Sequence, residues 1–145
     1  MPNIFDATEV LSSALSAARL RVNVLASNIA NAETTRTPDG GPYKRKDVVQ
    51  AAISMPAEFS NVLDRMSLAK PSAVAVVEDQ SAPRQVYQPG HPDANTDGFV
   101  AYPNINVVTT MTDLMSASRL YQASVTALET TRRMSTDAQA ISVKS

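Results

Sequence analysis

The chain has no cysteine and no tryptophan, one histidine, and four glycines among its 145 residues. The lack of cysteine excludes disulfides and thiolate metal sites, and suits a chain that meets an oxidising compartment unfolded. With His91 as the sole imidazole, a Ser-His-Asp device would have to be built on a turn residue held between Gly90 and Pro92. Asp79, Asp93 and Asp97 near it match neither a calcium loop nor a zinc helix motif. Gly40 and Gly41 are followed by no P-loop lysine and no dinucleotide pattern. Catalysis is not expected, nor is any cofactor or metal. No run approaches the ~18 apolar residues of a membrane span. The first thirty residues lack a basic n-region and an unbroken apolar run, with Asp6 and Glu9 where positive charge would stand. A net charge of −1 supplies no field to gather nucleic acid or an anionic membrane. Export, if it occurs, is expected without a cleaved signal.

Against these absences stands a repeat. Leu11, Leu15, Ala18, Val22, Leu25, Ile29 and Ala32 alternate steps of four and three, and so do Val107, Met111, Leu114, Ser118, Tyr121, Val125 and Leu128. That spacing keeps a narrow stripe on one side of a helix, the seam of a coiled coil. Beyond Leu128 the second stripe is read through Thr131, Met134, Ala138 and Ile141, which requires a slip of one residue. The two ends can pair with each other and then with copies of the chain. Their side chains are small, and each buries little area at ~25 cal/mol per Å², so a monomer is expected to gain stability from its neighbours.

The first helix is predicted from Ala7 to about Ala30, with Asp6 and Glu9 as a capping box and Phe5 and Val10 as a hydrophobic staple. Thr34 to Pro42 reads as a loop. Strands are predicted at 43–50 and 74–78, the latter paired in a hairpin with 85–87, and 99–102 is a short extended piece. One or two helical turns are predicted within 57–66. Asn104 or Asn106 caps a last helix running to about Ile141. The fold class is mainly α with a small β-rich middle. The divisions are 1–35, 36–104 and 105–145, with the first and last forming one discontinuous domain.

Two groups of polar residues carry two readings each. Asn23, Asn28 and Asn31 lie on or beside the first helix, where Asn28 and Asn31 either terminate it or cross-link helices through their carboxamides. Arg36, Lys44, Arg45 and Lys46 form either a solvated strand edge or a contact with an acidic neighbour, such as the 71–104 segment of another subunit. That segment has one basic residue against four acidic ones. Tyr121 on the seam reads as packing, with its hydroxyl at the rim.

The stretch SALSAARLRVNVLASNIANAETTRT (Ser13–Thr37) resembles the N-terminal signature of the flagellar rod, hook and hook-associated proteins. GGPYKRKDVV (Gly40–Val49) and YQPGHPDANTDGFVAYPNINVVTTMTDLM (Tyr87–Met115) narrow the resemblance to the proximal rod subunits of the basal body, and SRLYQASVTALETTRRM (Ser118–Met134) resembles the family's C-terminal helix. The resemblance implies export by the flagellar type III apparatus without signal cleavage. It also implies assembly into the rod across the periplasm, and terminal helices that are disordered beforehand and pair as a coiled coil within it. The implied partners are other proximal and distal rod proteins, the adaptor between rod and motor ring, and the export apparatus. Neither nucleic acid nor membrane insertion is implied. The expected assembly interface is Leu11–Ala32 with Asn28 and Asn31, packed antiparallel on Val107–Ile141. Arg36, Tyr43, Lys44, Arg45, His91, Pro92, Asp93 and Asn95 are the expected subunit contacts of the middle. The rival classes are another axial rod protein and a soluble coiled-coil adaptor or export chaperone.

Overall fold

A computed structural model describes residues 4–54 and 69–142 of the chain. Two long helices, α1 (Ile4–Ala30) and α2 (Val107–Ser142), flank two antiparallel strand pairs. The helical turns predicted within 57–66 lie outside the described residues.

Helix α1 begins at Ile4, upstream of the predicted start. Asp6 therefore falls inside the first turn of the helix rather than ahead of it. The far end stops where expected. Asn31 Nδ2 donates to the Ser27 carbonyl at 2.9 Å, and Asn31 Oδ1 accepts from Thr34 Oγ1 at 3.3 Å. The tighter Ala32 N to Ile29 O bond, 3.2 Å, then winds the chain out of the helix. Termination is what Asn31 does. In the loop that follows, Gly40 and Gly41 hold φ of 88° and 74° in succession, which residues with a Cβ rarely adopt.

Strand β1 (Lys46–Ser54) pairs with β2 (Ala69–Glu78) in a register running from Lys46↔Glu78 to Ser54↔Ala69. Val49 faces Ala75 and Gln50 faces Ala73, so Val74 is the extra residue of a bulge. Strand β3 (Arg84–Tyr87) pairs instead with β4 (Phe99–Tyr102), from Arg84↔Tyr102 to Tyr87↔Phe99. The expected hairpin between 74–78 and 85–87 does not form. Asp79 Oδ1 accepts from both the amide and the hydroxyl of Ser81, folding the chain into a tight turn, and Pro83 then has no amide to offer a ladder. The same two Ser81 bonds lower the Asp79 pKa, against a smaller opposing effect of burial and with a further lowering by the charge of Arg45. The turn is therefore strongest above the ordinary carboxylate range and loosens as pH falls through the depressed value.

The β3–β4 connection is organised by Asn95. Its Oδ1 accepts from the amides of Asp97 at 3.0 Å and Phe99 at 2.8 Å, while its own amide donates to the Phe99 carbonyl at 2.9 Å. Gly98 is buried there at φ +81°, and a Cβ would stand 2.8 Å from Tyr87 Cε2. Gly98→Ala is expected to cost about 1–3 kcal/mol, read as a lowered midpoint in a thermal melt, because it adds both a strained backbone and a clash.

Asn106, one of the two predicted caps, starts α2. Its Oδ1 accepts from the Thr109 amide at 3.1 Å, and its carbonyl accepts from the Thr110 amide at 2.9 Å. Asn106→Ala is expected to cost about 1 kcal/mol, measurable by chemical denaturation.

The described core is made of small side chains. Ala17, Ala18, Val24, Leu25, Ala32, Val100 and Ala117 are its buried apolar members. Helix α1 packs against α2 and also against β1 and β2. That double load explains why its buried face, which includes Ala17, Val24 and Asn28, is wider than a single coiled-coil seam.

Candidate assembly surface

Along the first predicted stripe, Ala18, Leu25 and, just past the end of α1, Ala32 are buried, and Leu11, Leu15, Val22 and Ile29 are half-buried. Along α2 the buried or half-buried residues are Thr110, Leu114, Ala117, Tyr121, Ser124, Leu128, Thr131 and Ser135, with Ser118 and Val125 half-buried on the flank. These inward positions alternate four and three without interruption, so the slip expected after Leu128 is not present. Val107, Met111 and Met134, placed on the seam by their apolar character, are exposed. Thr110, Ala117 and Ser135 take the inward places. Ala138 and Ile141 fall in the last turns of α2, where only the course of the helix is described.

The two helices meet with defined neighbours. Arg21, Leu25 and Asn28 of α1 line one cleft with Thr109, Thr110 and Asp113 of α2. The second half of α1 therefore lies beside the first turns of α2.

Each helix also carries a second stripe, which sequence reading alone did not separate from the first. On α2, Ser116, Leu120, Ala123, Ala127, Thr130 and Met134 repeat the four-three alternation, and all are exposed; Leu120 is 60% exposed and Met134 66%. On α1, Ser12, Ser16, Arg19, Asn23, Ala26 and Ala30 do the same and are also exposed. Val108, Met111 and Met115 add further apolar surface on the first turns of α2. A helix apolar on more than one side is suited to more than one neighbour.

The polar residues of the middle are joined within the chain. Arg36 Nη1 lies 3.8 Å from Asp93 Oδ1, and Thr35 Oγ1 donates to Asp93 Oδ2 at 2.8 Å, fastening the loop after α1 to the 88–98 connection. Lys46 Nζ lies 3.9 Å from Glu78, and Lys44 Nζ donates to Gln80 Oε1 at 3.4 Å. Arg45 Nη2 donates to Asp47 at 2.8 Å. That bond raises the Arg45 pKa against the opposing effect of burial, and the charges of Asp47, Asp79 and Asp113 raise it further. Arg36 and Lys46 of the basic patch thus meet acids of the 78–93 segment of the same chain, while Arg45 meets Asp47 and Lys44 the neutral Gln80. These pairs are largely exposed and each contributes ~0–1 kcal/mol.

His91 is a loop histidine. Its Nδ1 accepts from the Asp93 amide at 3.1 Å, and its ring stands edge-on to Tyr102 at 6.4 Å. Pro92 beside it is exposed. Asn28 is 1% exposed and binds the Tyr43 hydroxyl and the Lys46 backbone. Sequence reading missed that role because the partner lies eighteen positions on. Among the described residues no group of His, Asp and Glu could hold a metal ion, and no helix is long and apolar enough to cross a membrane.

Both terminal segments match known families. The family described as "Flagella basal body rod protein" matches residues 9–36, and "Flagellar basal body rod FlgEFG protein C-terminal" matches residues 96–141. The chain is 40% identical over 132 residues to the flagellar basal-body rod protein FlgC of Salmonella typhimurium, covering 91% of this chain and 90% of that one. It is 37% identical over 148 residues to the FlgC of Borreliella burgdorferi, covering 95% and 97%. The Bacillus subtilis FlgC is 37% identical over 140 residues, covering 90% and 92%. Similarity that runs from the first helix to the last at this level makes the chain a structural part of the flagellum rather than an enzyme: it belongs to the FlgC family of flagellar basal-body rod proteins.

Proposed function

We propose that this subunit builds the proximal rod by pairing its terminal helices as an antiparallel coiled coil and packing the outward faces of that pair against other axial subunits. The pairing is supported by the cleft shared between Arg21–Asn28 of α1 and Thr109–Asp113 of α2, and by the unbroken four-three alternation of inward residues on α2. Residues 1–35 and 105–145 act as one rod-core domain. Residues 36–104 sit outside it as a β-rich part that stiffens the joint.

One observation carries the reading: both helices keep a second heptad-spaced stripe facing outward, and the stripe on α2 leaves Leu120 and Met134 largely exposed. The two outward stripes differ, one polar and small, the other more apolar. Contacts between unlike faces are heterologous and extend into an open helical array rather than closing a dimer. Torque is then spread over many packed contacts. The expected neighbours are other proximal and distal rod proteins and the adaptor to the motor ring. The subunit reaches its place in the periplasm through the flagellar type III export apparatus. The pairing within the chain is carried by Leu11, Leu15, Ala18, Val22, Leu25, Ile29 and Ala32 with the inward α2 series described above, and the outward stripes meet the neighbouring subunits. Of the middle residues, His91, Pro92 and Asn95 remain candidates for contact with a neighbour.

A chain without cysteine allows a direct test. Ala123→Cys should react readily with a thiol reagent in the purified protein and be protected at least ten-fold in isolated basal bodies, with Ser81→Cys in the middle reactive in both. Equal reactivity of Ala123→Cys before and after assembly would contradict an outward interface on α2.

A further inference from the structure

Strand β1 has β2 on one side only, and its first residue meets a side chain where a strand would otherwise stand. Asn28 Nδ2 donates to the Lys46 carbonyl at 2.7 Å, and the Lys46 amide donates to Asn28 Oδ1 at 2.9 Å. A primary amide that gives one hydrogen bond to a residue's C=O and takes one from its N–H reproduces what a neighbouring strand offers. Tyr43 Oη donates to the same Oδ1 at 3.1 Å and lies 3.3 Å from Ser27 Oγ. The Tyr43 amide donates to the Thr34 carbonyl at 3.0 Å, and the Asp79 amide to the Arg45 carbonyl at 2.7 Å. A continuous set of hydrogen bonds therefore runs from the last turns of α1 to both strands at the base of the β1–β2 hairpin.

We infer that Asn28 is a positioning residue, a one-residue substitute strand that fixes where the hairpin starts and the direction in which it leaves the helical pair. Three observations favour this over a helix-terminating role. The helix continues for two residues past Asn28 to Ala30. Asn31, not Asn28, occupies the terminal carbonyl of Ser27. At 1% exposure, neither polar atom of Asn28 has water as an alternative partner, so the pair with Lys46 is made or the buried groups go unsatisfied. The geometry also links two parts of the fold: the base of the hairpin has its partner only when α1 is helical through Asn28. This inference does not depend on how subunits assemble.

Amide hydrogen exchange on isolated basal bodies, where the terminal helices are paired, tests it, with Lys46 and Asp79 as reporters and the α1 amides of Ala17 and Ala18 as controls. Asn28→Ala should speed exchange at Lys46 about ten-fold or more, as the loss of one or two net hydrogen bonds implies, while the controls change far less. Asn28→Asp gives the sharper result. Its carboxylate has no donor for the Lys46 carbonyl, but the protonated acid has one donor and one acceptor and is isosteric with the native amide. The Lys46 carbonyl 2.7 Å away and burial favour the protonated acid over the opposing pull of the Lys46 and Tyr43 donors, so the variant gains stability as pH falls through the raised pKa. Protection of Lys46, taken relative to the native chain at each pH, should recover on acidification in Asn28→Asp and not in Asn28→Ala. The charged groups around the site, Arg21, Arg45, Lys46, Asp47 and Asp113, are common to all three chains and cancel in the comparison. Should Asn28→Ala fail to fold, the pH series of Asn28→Asp alone decides. Native-like Lys46 exchange in Asn28→Ala, or no recovery in folded Asn28→Asp, overturns the inference.

Discussion

Leu25→Asp is expected to separate the helices and leave cells without rods. Leu25 is 8% exposed and lies between α1 and the first turns of α2. Removing its burial costs about 2–3 kcal/mol by area and cavity, and a carboxylate in its place adds a desolvation cost of similar size. Arg21 stands one turn earlier in the same cleft and can draw the new charge outward. The expected loss is therefore about 3–5 kcal/mol, a large share of what a domain of this size has. Circular dichroism should show less helix and a lower melting midpoint. Swimming and basal-body yield should both be abolished, while the chain is still exported, since the lesion lies in packing. Leu25→Met, which conserves volume, should cost less than about 1.5 kcal/mol and still assemble.

Leu120→Glu should be as severe in the cell and nearly silent in the test tube. Leu120 is 60% exposed in the isolated chain, so a charge there meets water and the stability change should stay within about 0.5 kcal/mol. In a rod whose subunits pack along Ser116, Leu120, Ala123, Ala127 and Met134, the same carboxylate is buried once per interface without a partner. That cost, several kcal/mol for each contact, recurs at every copy. Normal circular dichroism with no swimming is the expected pair of results. Normal swimming would remove the outward stripe from the interface. Together the two variants separate a seam that holds one chain together from a face that holds chains to each other.

Much of this architecture is legible in the sequence, because its strongest signals are local. The four-three alternation marks both helices, Asn106 marks the start of α2, and the β-branched run Val74 to Val77 marks a strand. Which side of α2 turns inward is less legible. Thr, Ser and Ala lie on all sides of it, so Val107, Met111 and Met134 attract attention as apolar residues. Yet Thr110, Ala117 and Ser135 are small enough to let α1 approach, and they occupy the inward places. Apolar character and inward position part company when a helix has more than one partner face.

Strand pairing fails for a different reason. Adjacent strands usually pair, which favours 74–78 with 85–87, but the Asp79–Ser81 turn and the Asn95-centred connection each commit their strands elsewhere. Neither turn is predictable in direction from composition. Asn28 is the extreme case: its sequence neighbours suggest the end of a helix, and its bonds go to a residue in a strand. A side chain that imitates backbone has no signature in spacing.

The central claim is that the paired terminal helices of this subunit form the rod core. Cryo-electron microscopy of isolated basal bodies tests it most directly. Density near the inner-membrane end of the rod should fit this chain, with α1 and α2 antiparallel and Leu120 buried against a neighbouring subunit. A well-resolved proximal rod with no place for the chain, or one in which its two helices lie apart, would contradict it.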